Sequence, residues 1–591
     1  MTVFAALSVS FSSAQTYYTI DASFPSGGSS YQTLEEFALD FARTLDAGEV
    51  TLTFQNLTSD RDATLTDWLY TAASGTVLTI AHSDASGQIF LSPFGGNKFI
   101  RGTPGDISLA VADGTSLTFD GFEFIILQDG VTTGNIYLGA TDSTGELSIN
   151  SLAGDRAILT ANNMTILGGV NTFQDIPTAL SVEKTLTIEG GTNTFLRNDV
   201  GNRPAIAAAT LIINGGTNYF EKNGAGFAME NSGGALCSGS VTINGGINTF
   251  YDNFAQGDSG RGGAIYSGGI VKLLGGVNTF TDNKALGLGG AIYAGGDVML
   301  TSIGGDLVFS GNRQFVGSTD PFNPEVANAV YSNATVYLMT SNSNPDSKII
   351  FKDPVISNGT GNNTFNYSEN GVVPGEYFGR GTIIFDGSDY FGKAGATAAD
   401  YTSVFNNSRV TLRYGKMEII GGAVLRVNDF SLYTEGQGGL LTVGLNSQFQ
   451  VLGTFDFIDT VVLAVGNGNI SGMISANALG TGYMHPSYSA TIRFDLSGLT
   501  DSYGTWQLFS LAGDVAFDLS ALRVLQYSID GTPVTITTTP DAGIWSFTDT
   551  LGRQWEFTDK GSLSLVPEPA SLALAGVGIL ALAFFRKRKL R

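Results

Sequence analysis

One motif recurs through the middle of the chain at a period too long for a helical turn and too regular for loops. A short apolar segment is followed by Gly-Gly, then by Asn-Thr-Phe or a close variant, then by Asn three residues after the Phe. The Gly pairs fall at 168–169, 190–191, 215–216, 245–246, 275–276 and 304–305, so the spacings are 22, 25, 30, 30 and 29 residues. Phe-x-x-Asn occurs as Phe195 with Asn198, Phe220 with Asn223, Phe250 with Asn253, Phe280 with Asn283 and Phe309 with Asn312. Gly-Gly-Ala-(Ile/Leu) occurs at Gly233–Leu236, Gly262–Ile265 and Gly289–Ile292. A unit of this size cannot bury an apolar face alone and must stack on its neighbours.

Each unit holds short strands separated by Gly- or Asn-rich corners, the layout of one coil of a right-handed parallel β-helix. Coils stack at about 4.8 Å, so Phe is expected on Phe inside and Asn on Asn at the corners. Asn is given the corner because it tolerates left-handed backbone and its amide can reach the next coil. The residue just before it varies, as Arg197, Lys222, Asp252, Asp282 and Gly311, which marks a solvent-facing position. With 78 Gly and only 14% charged residues, the composition suits turn-dense β structure and not a disordered chain or a helical bundle.

The expected organisation is all-β. It runs from a signal peptide at 1–14, through an N-terminal cap with first coils at 15–165, to the repeat β-helix at 166–320. Continued β-helix at 321–480, a small β region at 481–562 and a sorting and anchor segment at 563–591 follow. Thr33-Leu-Glu-Glu36 has a capping-box pattern, and Leu34, Phe37, Ala38, Phe41, Ala42 and Leu45 recur at helical spacing. An amphipathic helix here would plug the stack just before the alternating strand Val50–Phe54. Three of the four Trp, Trp506, Trp545 and Trp555, lie in the small β region, expected to seal the other end.

Both ends read as addresses. Residues 3–11 form an apolar run followed by Ser12-Ser13-Ala14, as signal peptidase requires; no basic n-region precedes it, so the true start is expected upstream of Met1. At the other end stand Val566-Pro567-Glu568-Pro569, an apolar run containing Leu572, Leu574, Val577, Ile579, Leu580, Leu582, Phe584 and Phe585, and the tail Arg586, Lys587, Arg588, Lys589, Leu590, Arg591. Residues 570–585 as a helix span about 24 Å, short of a hydrocarbon core of about 30 Å unless the flanking cations snorkel. The cations after the span argue for a cytoplasmic tail and an exported body. This ordered triplet of Pro-Glu-Pro, apolar helix and basic tail resembles the PEP-CTERM sorting segment of Gram-negative bacteria. The resemblance implies an exosortase-type enzyme in the inner membrane that processes the segment during export to the surface.

Phe-x-x-Asn paired with Gly-Gly-Ala-Ile resembles the passenger repeats of chlamydial polymorphic outer membrane proteins, which are surface-displayed, adhesin-like autotransporters. The likeness continues at Lys348–Pro354, at Gly381–Asp386 and in the Gly-punctuated stretch Ser408–Gln450. The family's membrane barrel is expected to be replaced here by the sorting segment.

Candidate chemistry is sparse. The net charge of −23 opposes nucleic-acid binding, and one Cys with two His leaves little for thiolate metal clusters or general-base catalysis. Gly257-Asp258-Ser259-Gly260 matches the nucleophile tetrapeptide of serine proteases, but it lies in a variable corner, and neither His82 nor His485 is placed by sequence to serve it. Asp252 and Asp282 share a repeat phase and could face each other across one coil, as a Ca²⁺ site or a glycosidase pair, yet any repeat stacks residues this way. Lys222, Arg261, Lys272 and Lys284 are the repeat's candidate lyase bases, none grouped with an acidic cluster. Cys237 beside Leu236 reads as a packed small hydrophobe. Gly287-x-Gly289-Gly290 reads as a corner and not a phosphate loop.

No catalytic residue, metal or cofactor is therefore assigned. The expectation is a non-enzymatic surface or matrix protein built on about 16 coils, a rod of about 80 Å. It would be adhesin-like or in contact with extracellular polysaccharide or other surface proteins. The alternative is a secreted polysaccharide lyase or glycoside hydrolase on the same fold.

Overall fold

A computed structural model describes several strands between residues 16 and 120 by their backbone. It then describes the chain from 135 to 566 except for segments 151–157, 161, 199–202, 226–232, 257–259, 316–325, 368–377, 434–438, 481–489, 501–502, 513–523 and 539–540. The chain divides into two units, Met1–Val298 with Asn312–Glu325, and Met299–Gly311 with Val326–Arg591. Among the described residues the secondary structure is strand apart from two 3-10 turns, Ala398–Tyr401 and Asn467–Asn469.

In the first unit the repeats stack in parallel to build three sheets. The first sheet pairs Leu180–Ile188 with Ile206–Ile213 and that with Leu236–Ile243. The second stacks Val170–Gln174, Thr192–Leu196, Thr217–Glu221, Ile247–Tyr251 and Val277–Thr281. The third is narrow: Gly224–Ala225, Phe254–Ala255, Lys284–Ala285 and Arg313–Gln314. Register follows the repeat, so Asn meets Asn and Phe meets Phe in adjacent coils. Phe173, Phe195, Phe220, Phe250 and Phe280 are fully buried and stack in order, with centroids 4.9, 4.9, 4.8 and 4.7 Å apart and rings within 9° of parallel. That separation is the coil spacing itself, so one row of rings fills the interior without a void.

Two amide columns flank the Phe column. Asn198, Asn223, Asn253 and Asn283 each donate from Nδ2 to Oδ1 of the next coil's Asn at 2.9–3.0 Å, ending on Asn312. The Oδ1 of Asn223, Asn253, Asn283 and Asn312 also accepts the preceding Asn's backbone N–H. The Asn of Asn-Thr-Phe builds the second column: Asn171, Asn193, Asn218 and Asn248 each donate to the next at 2.8–2.9 Å, ending on Asn278.

Both columns are buried. Contrary to expectation, Asn is not the left-handed residue of the corner. The variable residue before it is: φ is 51° at Arg197, 52° at Lys222, 50° at Asp252, 56° at Asp282 and 73° at Gly311. The Asn amide is committed inward, so the preceding residue absorbs the bend. The second residue of the Gly pairs from 168–169 to 275–276 is also left-handed, and in 304–305 it is the first; at Gly246, φ is 85° and a Cβ would lie 2.6 Å from the Gly216 carbonyl oxygen of the adjacent coil.

Parallel pairing begins earlier than the alternating strand at Val50 suggests, since Thr16–Asp21 already pairs in parallel with Glu49–Gln55. The helix expected over residues 33–45 lies outside the described residues, as does the signal segment 1–14.

The second unit continues the same construction. Leu307–Ser310, Lys348–Phe351, Thr382–Asp386, Lys416–Ile420, Leu440–Val443, Thr460–Gly466, Thr491–Asp495 and Val524–Ile529 pair in parallel in that order. Phe309, Phe351 and Phe385 stack there at 5.2 and 5.5 Å. Pairing then turns antiparallel. Val524–Ile529 forms a hairpin with Thr532–Ile536, and a four-stranded sheet runs in the order Gly504–Gln507, Ser562–Val566, Gln554–Thr558, Ile544–Thr548. Trp506 and Trp555 are buried with centroids 5.7 Å apart.

Candidate functional site

The outward rows of the repeat carry what chemistry the body has. The left-handed column places Asp175, Arg197, Lys222, Asp252 and Asp282 in successive coils. Arg197 grips Asp175 with two hydrogen bonds of 2.9 and 3.0 Å and holds that carboxyl below its ordinary value. Lys222 pairs with Glu221 at 2.8 Å and Lys284 with Asp252 at 2.7 Å. Asp252 and Asp282 are thus not an isolated carboxylate pair, because Lys284 occupies Asp252. Burial pushes the Asp282 carboxyl up, opposed by the Lys284 charge and reinforced by Asp252. Among the described residues, no group of three or more His, Cys, Asp or Glu is placed to hold a metal ion.

On the outer side of the second sheet, the Tyr219 phenol donates to Glu221 Oε2 at 2.9 Å. Burial and this bond push the phenol up to about 12, so it stays protonated. The Lys222 ammonium holds the Glu221 carboxyl below its ordinary value, so it stays ionised.

Cys237 is not in the core. Strand alternation turns Leu236 inward and Cys237 outward, in register with Tyr266. Burial nonetheless pushes its thiol up. Tyr266 stacks on Tyr293 at 5.5 Å, and Arg261 covers the Tyr293 ring at 4.8 Å while donating to its hydroxyl at 2.8 Å. Lys272 stands outward between buried Val271 and Leu273. Gly287 to Gly290 form the corner between Lys284–Ala285 and Ile292–Ala294.

Ser259 and His485 lie outside the described residues, and His82 is described only by its backbone, at the end of Thr76–His82. Of the sorting segment only Val566 is described; Pro567 to Arg591 are outside. Among the described residues no helix is long and apolar enough to cross a membrane.

Val566 ends Ser562–Val566, which is paired on both sides, with Trp506 opposite Leu563 and Trp555 opposite Leu565. Leu563 and Leu565 are buried. The address therefore follows directly on an interior strand of the final sheet.

Sequence reasoning missed the Asn171-to-Asn278 column and the Tyr219–Glu221–Lys222 chain. Strand parity is the signal for the first, since it turns that Asn to the same side as Phe. The break in Asn-Thr-Phe is the signal for the second.

No curated protein and no solved structure matches the chain. Residues 279–295 match the Chlamydia polymorphic membrane protein repeat, and this stretch covers part of one coil, from the end of Val277–Thr281 through Asn283 to Ile292–Ala294. Residues 565–589 match the PEP-CTERM protein-sorting motif, beginning inside the last strand. The chain is thus similar to two families in two separate places, a surface-protein repeat in its body and a sorting signal at its end.

Proposed function

We propose that the chain is exported and sorted through its C-terminal segment by an exosortase-type enzyme, with Leu572–Phe585 as a transient transmembrane helix in the inner membrane. Its end point in this reading is the cell surface or the extracellular matrix. There the body, a right-handed parallel β-helix, acts without enzymatic activity as an adhesin-like surface that contacts extracellular polysaccharide or other surface proteins. The observation that carries the reading is the match to the sorting motif at 565–589. The repeat match at 279–295 supports the surface role. A body whose buried polar residues are spent on coil-to-coil ladders, and whose Asp252 is held by Lys284, suits a scaffold better than a lyase or hydrolase.

Intact mass and cell fractionation in the native host test this, with and without residues 566–591. The expected result is a surface form trimmed near Pro567 that is lost when the segment is deleted. A full-length form retained in the inner membrane would sink the sorting reading.

A further inference from the structure

At the middle position of Asn-x-Phe, on the outer side of the second sheet, stand Thr172, Thr194, Thr249 and Thr279, and one Tyr, Tyr219. The fold does not require the larger side chain, because the Thr coils carry the same Phe stack and the same Asn column. Its in-register neighbours are the short Thr194 and Thr249. Outward side chains two residues apart on a strand rise about 6.8 Å from each other. The 2.9 Å bond from the Tyr219 hydroxyl to Glu221 therefore requires the phenol to lean along the strand instead of standing off the sheet. Lys222 fixes the far oxygen of Glu221 at 2.8 Å, so the tether is itself anchored. No aromatic ring among the described residues stacks on Tyr219. Tyr251 lies one coil on, in register with Glu221 and facing the same way, about 8 Å away on the diagonal.

A tethered ring flanked by hydroxyls and short side chains offers an aromatic face at little entropic cost on binding. The axial C–H face of a pyranose packs against such a ring by dispersion, while its hydroxyls need acceptors at the edge. The chain's charge of −23 repels uronate or sulfate polymers.

We propose that Tyr219, with Tyr251 beside it, is a stacking platform for a neutral hexopyranose polymer, and that Glu221 accepts a hydrogen bond from a sugar hydroxyl. This rests on the reading of the body as a polysaccharide-contacting surface and names the sugar class and the residues.

The test is calorimetric titration of the full chain with cellohexaose and laminarihexaose, with polygalacturonate as the anionic probe. A neutral probe is expected to bind, and Tyr219→Thr to weaken it about five- to tenfold. The circular dichroism should be unchanged, because Thr is what the other coils carry. Tyr219→Phe, which keeps the ring and loses the tether, should cost less. Equal affinity of Tyr219→Thr and wild type would remove this site and leave the polysaccharide reading standing. Binding of none of the three probes by the wild type would overturn both, and preference for polygalacturonate would overturn the neutral-sugar assignment.

Discussion

Asn248 and Asn253 stand five residues apart in one coil, on either side of Phe250, and each commits both amide hydrogens and its carbonyl oxygen. Asn253 donates to the Phe220 carbonyl and to Asn283, and accepts from the side chain and backbone of Asn223. Asn248 donates to the Gly245 carbonyl and to Asn278 and accepts from Asn218. Replacing Asn253 by Ala strands two buried donors of Asn223 in the preceding coil and takes a donor from the Phe220 carbonyl and from Asn283 Oδ1. We expect Asn253→Ala to destabilise the first unit by about 3 kcal/mol, read as a lower denaturation midpoint in urea. The Phe-x-x-Asn column was legible in the sequence because a polar residue at a fixed distance from a core Phe is conspicuous. Asn248 repeats just as regularly, but it sits in the middle of a strand where a polar residue usually points out. Only the parity it shares with Phe250 shows that it points in. The left-handed residue could not be read from type at all: Arg197 and Lys222 are poor choices for φ near 50°, and the coil tolerates them because the ladders on either side hold the backbone.

At the level of elements, the final antiparallel sheet is held by one buried carboxylate. The Asp549 side chain is 0% exposed and takes Arg553 Nε at 2.7 Å, Trp555 Nε1 at 3.0 Å and the backbone N–H groups of Leu551 and Arg553. Burial raises its pKa, but these donors outweigh it and leave the carboxyl below its ordinary value. A carboxyl depressed in the folded state stabilises it above the unfolded value, and that stabilisation is lost as pH falls through the folded one. Acid is therefore expected to loosen this sheet only below the ordinary carboxylate range, followed by the fluorescence of Trp506, Trp545 and Trp555. Asp549→Ala should cost the sheet about 3 kcal/mol at neutral pH and flatten that acid dependence. Clustered Trp pointed to the antiparallel sheet, but the region expected to begin at residue 481 still carries two parallel strands, Thr491–Asp495 and Val524–Ile529, so the alternation at Thr491–Phe494 did not mark the change of pairing. The role of Asp549 was not readable, since it depends on a turn bringing Trp555 and Arg553 back to one carboxylate.

For the molecule as a whole, the decisive boundary is Val566. Ser562–Val566 is flanked on both sides, so a chain ending after Val566 keeps every strand of the sheet, whereas one ending before Ser562 leaves Gly504–Gln507 without its partner and exposes Trp506. We expect the first truncation to keep the full-length chain's urea midpoint and near-ultraviolet circular dichroism, and the second to lose the tryptophan signal. A sorting enzyme that removed residues beyond Val566 would leave the body's described strands intact.

The buried amide columns of the first unit have a direction. Every amide-to-amide bond in both runs from Nδ2 to the Oδ1 of the coil that follows in sequence, from Asn171 to Asn278 and from Asn198 to Asn312. A chain that emerges N-terminus first, from a ribosome or through a pore, thus shows at its growing end a donor whose acceptor is the segment about to arrive. Each new coil supplies the acceptor for the one before it and presents its own donor, so each column is polar along its length, with a donor side toward the C-terminus and an acceptor side toward the N-terminus.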